Sequence, residues 1–444
     1  MAADTDKPCG TTETVPVIML TGLPQDNEAA ETTFFKALAT RATKTWMWAI
    51  WGLFSYLLDT ASDWYLVIAY FSMQKIVWGC LTLAFIVVPQ VIIAAVGILS
   101  IQLIDLINTA HKYDVEKAGV ETTKPPKKQS QRPGILFYVI YFILHILQFG
   151  PVFRYVSYFK FHISLATTDI YSYDALIWVF VNAVTARMRF LESCLEAMPQ
   201  LLLQMYILIT VTLMSTPFTW TSLQGMQVIS MSVSLLSGAA GVALVHDDVV
   251  IREGRCSNVN GCIPSYETVF RLVHFVGRLF ILTARCAVLA ATFSWSTVTG
   301  FIVCVWHVLL MAVCVYFFNL GSNSASRLFD LHDLPNRPIP RVLRHTYRFV
   351  LLPFSYLFDY VDEMDKNEAD PKRSSFPVVY YFVHGVENIV LSTIWAKVVG
   401  NFDSFSCLVT VAVLMLSASG ICAVRIYFYF CRAVSYLTIV MHSP

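Results

Sequence analysis

The sequence predicts an all-α protein, a polytopic transmembrane bundle of about eight to ten helices with half-spanning segments among them. The first reason is composition: of 444 residues, 56% are hydrophobic and 14% are charged, whereas a soluble globular chain carries about 25% charged residues. The second reason is the length of the apolar runs, because a helix needs about 20 apolar residues to cross the hydrocarbon core. The formal net charge of +1 gives no indication of a nucleic-acid partner.

Apolar runs define about ten candidate spans. In chain order they are Trp46–Met73, Ile76–Leu106, Gly134–Phe153, Tyr171–Thr185, Phe190–Met214, Leu223–Val245, Val269–Phe293, Val298–Phe318, Phe376–Val399 and Phe405–Phe430. The second run is too long for one simple crossing and has Pro89 and Gln90 near its middle, so it is either a kinked helix or a half-depth hairpin. A shorter run, Phe349–Val361, is broken by Pro353 and is expected to lie at the membrane interface.

The segments outside the transmembrane domain at 46–430 are short. Residues 1–45 and 431–444 are expected to be cytosolic tails, because the positive-inside rule then puts the basic loops on the same side. One such loop carries Lys112, Lys117, Lys124, Lys127, Lys128 and Arg132. The 11 cysteines are scattered and mostly lie in apolar runs. Cys256 and Cys262, in a loop, could pair in an oxidising compartment, but the cytosolic position favours free thiols.

Acidic residues lie inside two of the predicted spans, where a charge costs at least about 2.5–3.5 kcal/mol at the bilayer centre. Asp59 and Asp63 are four residues apart in the first span, so they share one helix face. The fifth span repeats that spacing, and glutamines continue the row beyond a proline; its members are Glu192, Glu196, Pro199, Gln200 and Gln204. Such residues should pair with other charges or face a water-filled cavity.

Arginines recur every seven residues in the seventh span, at Arg271, Arg278 and Arg285. Seven residues are close to two helical turns, so the three guanidinium groups form one stripe. We expect the acids of two helices and the arginines of the third to meet inside the bilayer and nearly neutralise one another. The alternative is that these charges are structural ion pairs that hold helices together.

A polar path across the membrane would solvate a lipid head group while the acyl tails remain in the bilayer. Removing about 5 kcal/mol from the barrier speeds crossing roughly a few thousand-fold. The sequence has no phosphate-binding loop, no H-E-x-x-H and no C-x-x-C, so we expect no enzyme activity, no cofactor and no metal site. The leading hypothesis is an energy-independent phospholipid scramblase. The alternatives are a solute or amino-acid carrier and a membrane chaperone.

The segment LESCLEAMPQLLLQMYI, residues Leu191–Ile207, resembles the signature of the XK-related family. Three weaker patches also resemble it: DTASDW with the paired aspartates, GRLFILTAR with Arg278 and Arg285, and VENIVL with Glu387 and Asn388. The resemblance implies a plasma-membrane bundle of two related halves. Some members expose phosphatidylserine in apoptosis after a caspase cuts a cytosolic terminus, others have no shown scrambling, and the founding member partners a membrane peptidase in the Kell antigen complex. Phospholipids, a caspase, and a single-span subunit or a second copy are therefore the expected partners.

The chain differs from the family at its C-terminal end, because the segment after Arg432 contains no aspartate that a caspase could cut. A D-E-M-D sequence ending at Asp365 lies in a polar loop and has aspartate at both ends, as executioner caspases prefer. Asp26 and Asp6 are further candidates in poorer contexts. A solvated turn is the alternative interpretation of the D-E-M-D sequence.

Overall fold

Almost every described residue is helical in the computed structural model, which describes residues 28–117, 134–156, 159, 188–214, 221–252, 264–318, 352–358, 371–399 and 404–442. The first helices are α1 (Glu28–Ser72), α2 (Ile76–Lys117), α3 (Ile135–Ile146) and α4 (Gly150–Val156). Helix α5 covers residues 188–214, with a π-helical turn at Ser193–Ala197 followed by Met198–Met214. The rest are α6 (Ser222–Arg252), α7 (Pro264–Trp295), α8 (Thr297–Phe317), α9 (Leu352–Ser355), α10 (Pro371–Val398) and α11 (Ser404–His442).

Within these residues, 6 helices are long and apolar enough to cross a membrane, or up to 7 if the bent pair α3–α4 is one span. The 6 segments are Ile76–Ile98, Met188–Val211, Ser222–Ala243, Val269–Trp295, Thr297–Phe317 and Ser406–Tyr427. The prediction of a helical membrane bundle is confirmed, while its helix count is not. The predicted spans Trp46–Met73 and Phe376–Val399 coincide, to within one residue at their ends, with parts of α1 and α10, and neither helix is among the 6 segments. Tyr171–Thr185 lies outside the described residues.

Helix α2 is continuous through Pro89 for 42 residues, about 63 Å at 1.5 Å per residue. The half-depth hairpin was therefore the wrong alternative. Proline leaves a carbonyl of the preceding turn without its usual partner, and the Nε2 amide of Gln148 donates to the nearby carbonyl of Ile86 at 3.1 Å. The helix also runs on through Lys112 and Lys117, beyond the predicted end of the span at Leu106.

The predicted span Gly134–Phe153 is instead two short helices, α3 and α4, that meet at 112°. The chain turns at Gln148, whose φ of 65° lies in the left-handed region. Helix α3 has 12 residues, about 18 Å, which is too short to cross the hydrocarbon core of about 30 Å. The predicted span is therefore broken at Gln148 into two helices that are each too short to cross alone.

Two helices extend beyond the spans that the sequence predicts. Helix α1 begins at Glu28, inside the segment assigned to the N-terminal tail. Helix α11 continues to His442, inside the segment assigned to the C-terminal tail.

Helix α7 is the centre of the bundle and packs against α5, α6, α8, α10 and α11. Its closest crossing is with α11, where a Cβ atom on Gly277 would meet the carbonyl oxygen of Gly420 at 3.1 Å. Small residues at such a crossing let two backbones approach. Arg278 and Arg285 are fully buried as a result of this central position.

The segment Phe349–Val361 was predicted to lie at the membrane interface, and its described part contradicts that prediction. Ser355, Tyr356, Leu357 and Phe358 are at most 4% exposed, packed in the core beside α7 and α8. We call residues 355–358, which are the last residue of α9 and the turn after it, the buried loop. Non-helical backbone is tolerated at this depth because side chains of three helices bind its carbonyl oxygens.

Candidate functional site

Pro199 accounts for the π-helical turn that precedes it in α5. Proline has no N–H to donate to the carbonyl of Leu195, and its ring crowds that carbonyl. The wider turn at Ser193–Ala197 relieves the crowding, and the N–H of Met198 donates to the carbonyl of Ser193 instead. Such π turns often occur at functional sites. Here the turn lies directly between the acidic pair and the glutamines.

Acidic and amide side chains of α1 and α5 form a buried polar column. None of them is more than 6% exposed. We call this set the acidic column; its members are Asp59, Asp63, Glu192, Glu196, Gln200 and Gln204. The shared faces predicted from the four-residue spacing are thus brought together by the packing of α1 and α5 against α6.

Serines of α6 match the aspartates of α1 one for one. The Oγ hydroxyl of Ser234 donates to Asp59 Oδ1 at 2.6 Å, and that of Ser230 donates to Asp63 Oδ1 at 2.8 Å. The two aspartates are four residues apart on α1 and the two serines are four residues apart on α6, so two parallel hydrogen bonds connect α1 with α6.

Two arginines that the sequence analysis missed neutralise part of the column. Arg189 and Arg154 both form ion pairs with Glu192, the first at 3.5 Å. Arg189 also donates to Ser237 Oγ at 2.8 Å. Glu196 has a neutral partner, because Gln90 Nε2 of α2 donates to its Oε2 atom at 2.7 Å.

Glutamines extend the column beyond the acids. The hydroxyl of Tyr70 donates to Gln204 Oε1 at 2.7 Å and accepts from Gln227 Nε2 at 2.7 Å. The carboxamide of Gln200 is fully buried beside Asp63, and neither of its polar atoms makes a well-aligned hydrogen bond within the described residues. This amide is buried at a cost in free energy that no such bond offsets.

The column extends through most of the bilayer thickness. Its outermost members on α5, Glu192 and Gln204, are 12 residues apart, about 18 Å along the helix axis, against a hydrocarbon core of about 30 Å. Helix α1 lies at the edge of the bundle and covers the column from one side, while its other face exposes Leu57, Tyr65 and Ile68.

The arginines of α7 do not neutralise these acids, and that part of the sequence prediction was wrong. An apolar layer of α5, α6 and α7 side chains lies between the two sets of charges, and it includes Met198, Leu201, Leu282 and Leu289. The acids bind Arg154 and Arg189 instead, and Arg285 binds Glu387. Two polar clusters therefore exist where one continuous seam was expected.

The second cluster surrounds Arg285. One terminal nitrogen of this arginine lies 2.9 Å from Glu387 Oε2, and the other donates to Asn388 Oδ1 at 3.2 Å. His307 Nδ1 also contacts Glu387 Oε2, at 2.7 Å. We call Arg285, His307, Glu387 and Asn388 the arginine cluster.

The other two arginines of the stripe lie further along α7. The Nε atom of Arg278 donates to His274 Nε2 at 3.0 Å, and a terminal nitrogen donates to the hydroxyl of Tyr381 at 3.1 Å. Arg271 is only half-buried. The stripe thus runs from the buried centre of α7 towards a more exposed end.

An apolar groove of about 670 Å³ lies beside the column, between α2, α5 and α8. Trp78 and Phe85 of α2, Leu202 of α5 and Phe301 of α8 are among its lining residues. Helix α5 therefore presents glutamines to the column and apolar side chains, Pro199 among them, to the groove.

Several sequence predictions lie outside the described residues: Asp365, Asp26 and Asp6 as caspase targets, and Cys256 and Cys262. In the part of the chain that the structure describes, no group of three or more histidine, cysteine or acidic side chains is placed to hold a metal ion. Comparison with protein families gives one finding: a family model described as XK-related protein matches residues 47–433. That range contains both polar clusters and the groove.

Proposed function

The chain belongs to the XK-related family, and on that premise we propose that it is a phospholipid scramblase. In this role it lets lipids, phosphatidylserine among them, exchange between leaflets without energy input. The observation that carries the proposal is the acidic column, which places six polar side chains along about 18 Å of helix α5 and the facing part of α1.

The column offers what a head group lacks in hydrocarbon. A zwitterionic or anionic head group can bind to carboxylates and guanidinium groups, and the column supplies both kinds through its acids and through Arg154 and Arg189. Intramembrane ionisable residues are costly, and their common uses are pathways for charged or polar substrates. The Gln200 amide, which is fully buried beside Asp63 without a well-aligned hydrogen bond, supports the same interpretation, because a purely structural position would favour an apolar side chain there.

Lipid passage requires the column to open, and α1 is the helix that can expose it. Helix α1 packs on α2 and α6, and one face of its described part exposes apolar side chains such as Leu57, Tyr65 and Ile68. Separation of α1 from α6 breaks the Asp59–Ser234 and Asp63–Ser230 hydrogen bonds. The head group then replaces the serines as a partner of the aspartates.

The apolar groove fits the other half of a phospholipid. Its volume of about 670 Å³ is within the usual range of about 300–1,000 Å³ for small-molecule sites. Because α5 borders both features, a tail in the groove and a head group in the column would lie on adjoining faces of one helix.

Reconstitution into liposomes tests the proposal. Purified protein is inserted into vesicles that carry a fluorescent lipid in both leaflets, and dithionite is added outside to quench the outer leaflet. If the protein scrambles lipids, dithionite quenches more than the half of the fluorescence that comes from the outer leaflet. Protein-free vesicles and vesicles with a heat-unfolded sample are the controls.

Two other outcomes favour the alternative functions. Uptake of a radiolabelled solute without loss of inner-leaflet fluorescence favours a carrier. Folded protein that does neither favours a structural membrane partner, with the ion pairs serving assembly.

Regulation, location and partners form the rest of the proposal. We propose a multi-pass protein of the plasma membrane with both termini in the cytosol, activated by a caspase that cuts after Asp365, Asp26 or Asp6. Incubation with an executioner caspase followed by mass spectrometry tests the sites, and an intact chain contradicts them. A single-span subunit or a second copy is the expected protein partner.

A further inference from the structure

The buried loop has an apolar side and a polar side. Leu357 and Phe358 line the apolar groove, together with Phe354 just before them. The backbone carbonyls of Tyr356 and Leu357 instead bind His307 and Arg285 of the arginine cluster. Residues 355–358 therefore stand between the groove and the cluster.

Three side chains from three helices hold the loop by its carbonyl oxygens. Tyr356 O contacts His307 Nε2 at 2.9 Å and accepts from the Tyr380 hydroxyl at 3.0 Å. Leu357 O accepts from Arg285 Nε at 2.9 Å. Within the loop, the N–H groups of Leu357 and Phe358 bond locally to carbonyls three residues earlier.

The loop covers a cluster that is otherwise suited to bind a head group. Arg285, His307 and Asn388 are fully buried, and only Glu387 keeps partial exposure. In this conformation a molecule in the groove meets apolar side chains alone on the loop side.

We propose that the buried loop is a gate between the apolar groove and the arginine cluster. Displacement of the loop would let the head group of a lipid in the groove reach Arg285 and Glu387. This inference rests on the proposed scramblase function, because the groove is then the site of the lipid. The arginine cluster would stabilise the closed loop, and it would bind the lipid head group once the loop has moved.

Tyr380→Phe tests the gate with the smallest available change. It removes one hydroxyl that binds the loop and keeps the aromatic ring, which packs against Tyr356 and His384. An interhelical hydrogen bond in a membrane protein is worth about 0.6 kcal/mol on average, so the open population should rise about threefold. The matched control is Tyr429→Phe, which removes the same hydroxyl from an exposed position on α11.

Two measurements on reconstituted full-length protein are compared. Hydrogen–deuterium exchange of a peptide covering 352–358 should become about threefold faster in Tyr380→Phe than in wild type, and scrambling should become faster by a similar factor. Tyr429→Phe should change neither.

An unchanged exchange rate in Tyr380→Phe overturns the claim that the Tyr380 hydroxyl stabilises the closed loop. Faster exchange with an unchanged scrambling rate overturns the gate while the proposed function stands. Wild-type protein that does not scramble at all overturns the proposed function, and the gate with it.

Discussion

Replacing Ser230 and Ser234 with alanine removes the two hydroxyls that bind the aspartates of α1. In the closed column these carboxyls then lose donors that alanine cannot replace. In the open column they contact water and head groups whether or not the serines are present. The double variant therefore destabilises the closed state alone and should speed scrambling.

The expected increase in the scrambling rate follows from the strength of the two serine–aspartate hydrogen bonds. Each interhelical hydrogen bond in a membrane protein contributes about 0.6 kcal/mol on average, with a maximum near 1.7. Two average bonds give about 1.2 kcal/mol, which is roughly an eightfold rise in the open population. Scrambling should rise by about the same factor when the open state is sparsely populated.

The assay is dithionite quenching of a fluorescent lipid in proteoliposomes, with protein content matched between variants. Ser232→Ala is the control, because Ser232 is exposed on the same helix and binds only the Val228 carbonyl of its own turn among the described residues. A double variant that folds normally but scrambles no faster than this control would refute the idea that the two serine–aspartate hydrogen bonds keep the column closed.

Three further predictions concern the column, the helix packing and the arginine cluster. Gln200→Met should leave thermal stability unchanged or higher, because the buried amide has no well-aligned hydrogen bond to lose. The same variant should scramble lipids more slowly. Lower stability with a normal scrambling rate would contradict a functional role of the amide. Gly241→Ala should lower stability by about 1–3 kcal/mol, because a Cβ atom there would collide with Ser193 and lie 3.1 Å from the carbonyl of Arg189. The control Gly238→Ala should be tolerated, because the nearest neighbour of its Cβ atom is 3.7 Å away. Equal melting temperatures of the two variants would contradict this prediction. Glu387→Gln should lower the melting temperature, because the fully buried Arg285 loses its 2.9 Å carboxylate. Removing one partner of a fully buried pair costs about 3–5 kcal/mol, and the partial exposure of Glu387 makes the loss smaller here. An unchanged melting temperature would show that the pair does not stabilise the fold.

The sequence located the acids of the column because carboxyl groups in apolar runs are conspicuous. Spacing alone put Asp59 with Asp63 and Glu192 with Glu196 on common faces. The serines of α6 gave no such signal, since a serine in a transmembrane helix usually bonds to its own backbone. Their role depends on α6 lying against α1, which is a property of the tertiary packing.

The two cations of the column were missed because of the span boundaries. Arg189 lies one residue before the predicted span Phe190–Met214, and Arg154 lies one residue after Gly134–Phe153. Both therefore fall just outside the predicted spans, although Arg189 is three residues from Glu192, a spacing at which helical side chains meet. With these arginines unassigned, the stripe on α7 was the only visible source of positive charge for the acids.

The buried loop was misplaced for a different reason. A short apolar stretch with Pro353 and flanking charges is typical of an interfacial segment. Its burial depends on Arg285, His307 and Tyr380, which lie far away in the sequence and supply bonds to its carbonyls. Local sequence does not encode such partners, and only the packing of α7, α8 and α10 brings them together.

Chemical modification inside the column tests most directly whether head groups cross there. A thiol is introduced by Ser234→Cys, next to Asp59, and a small charged thiosulfonate reagent is applied to proteoliposomes during scrambling. Ser232→Cys, on the exposed face of α6, is the matched control. If lipids pass between α1 and α6, reaction at position 234 stops scrambling and reaction at 232 does not. Undiminished scrambling after complete reaction at position 234 would contradict the assignment of the acidic column as the lipid pathway.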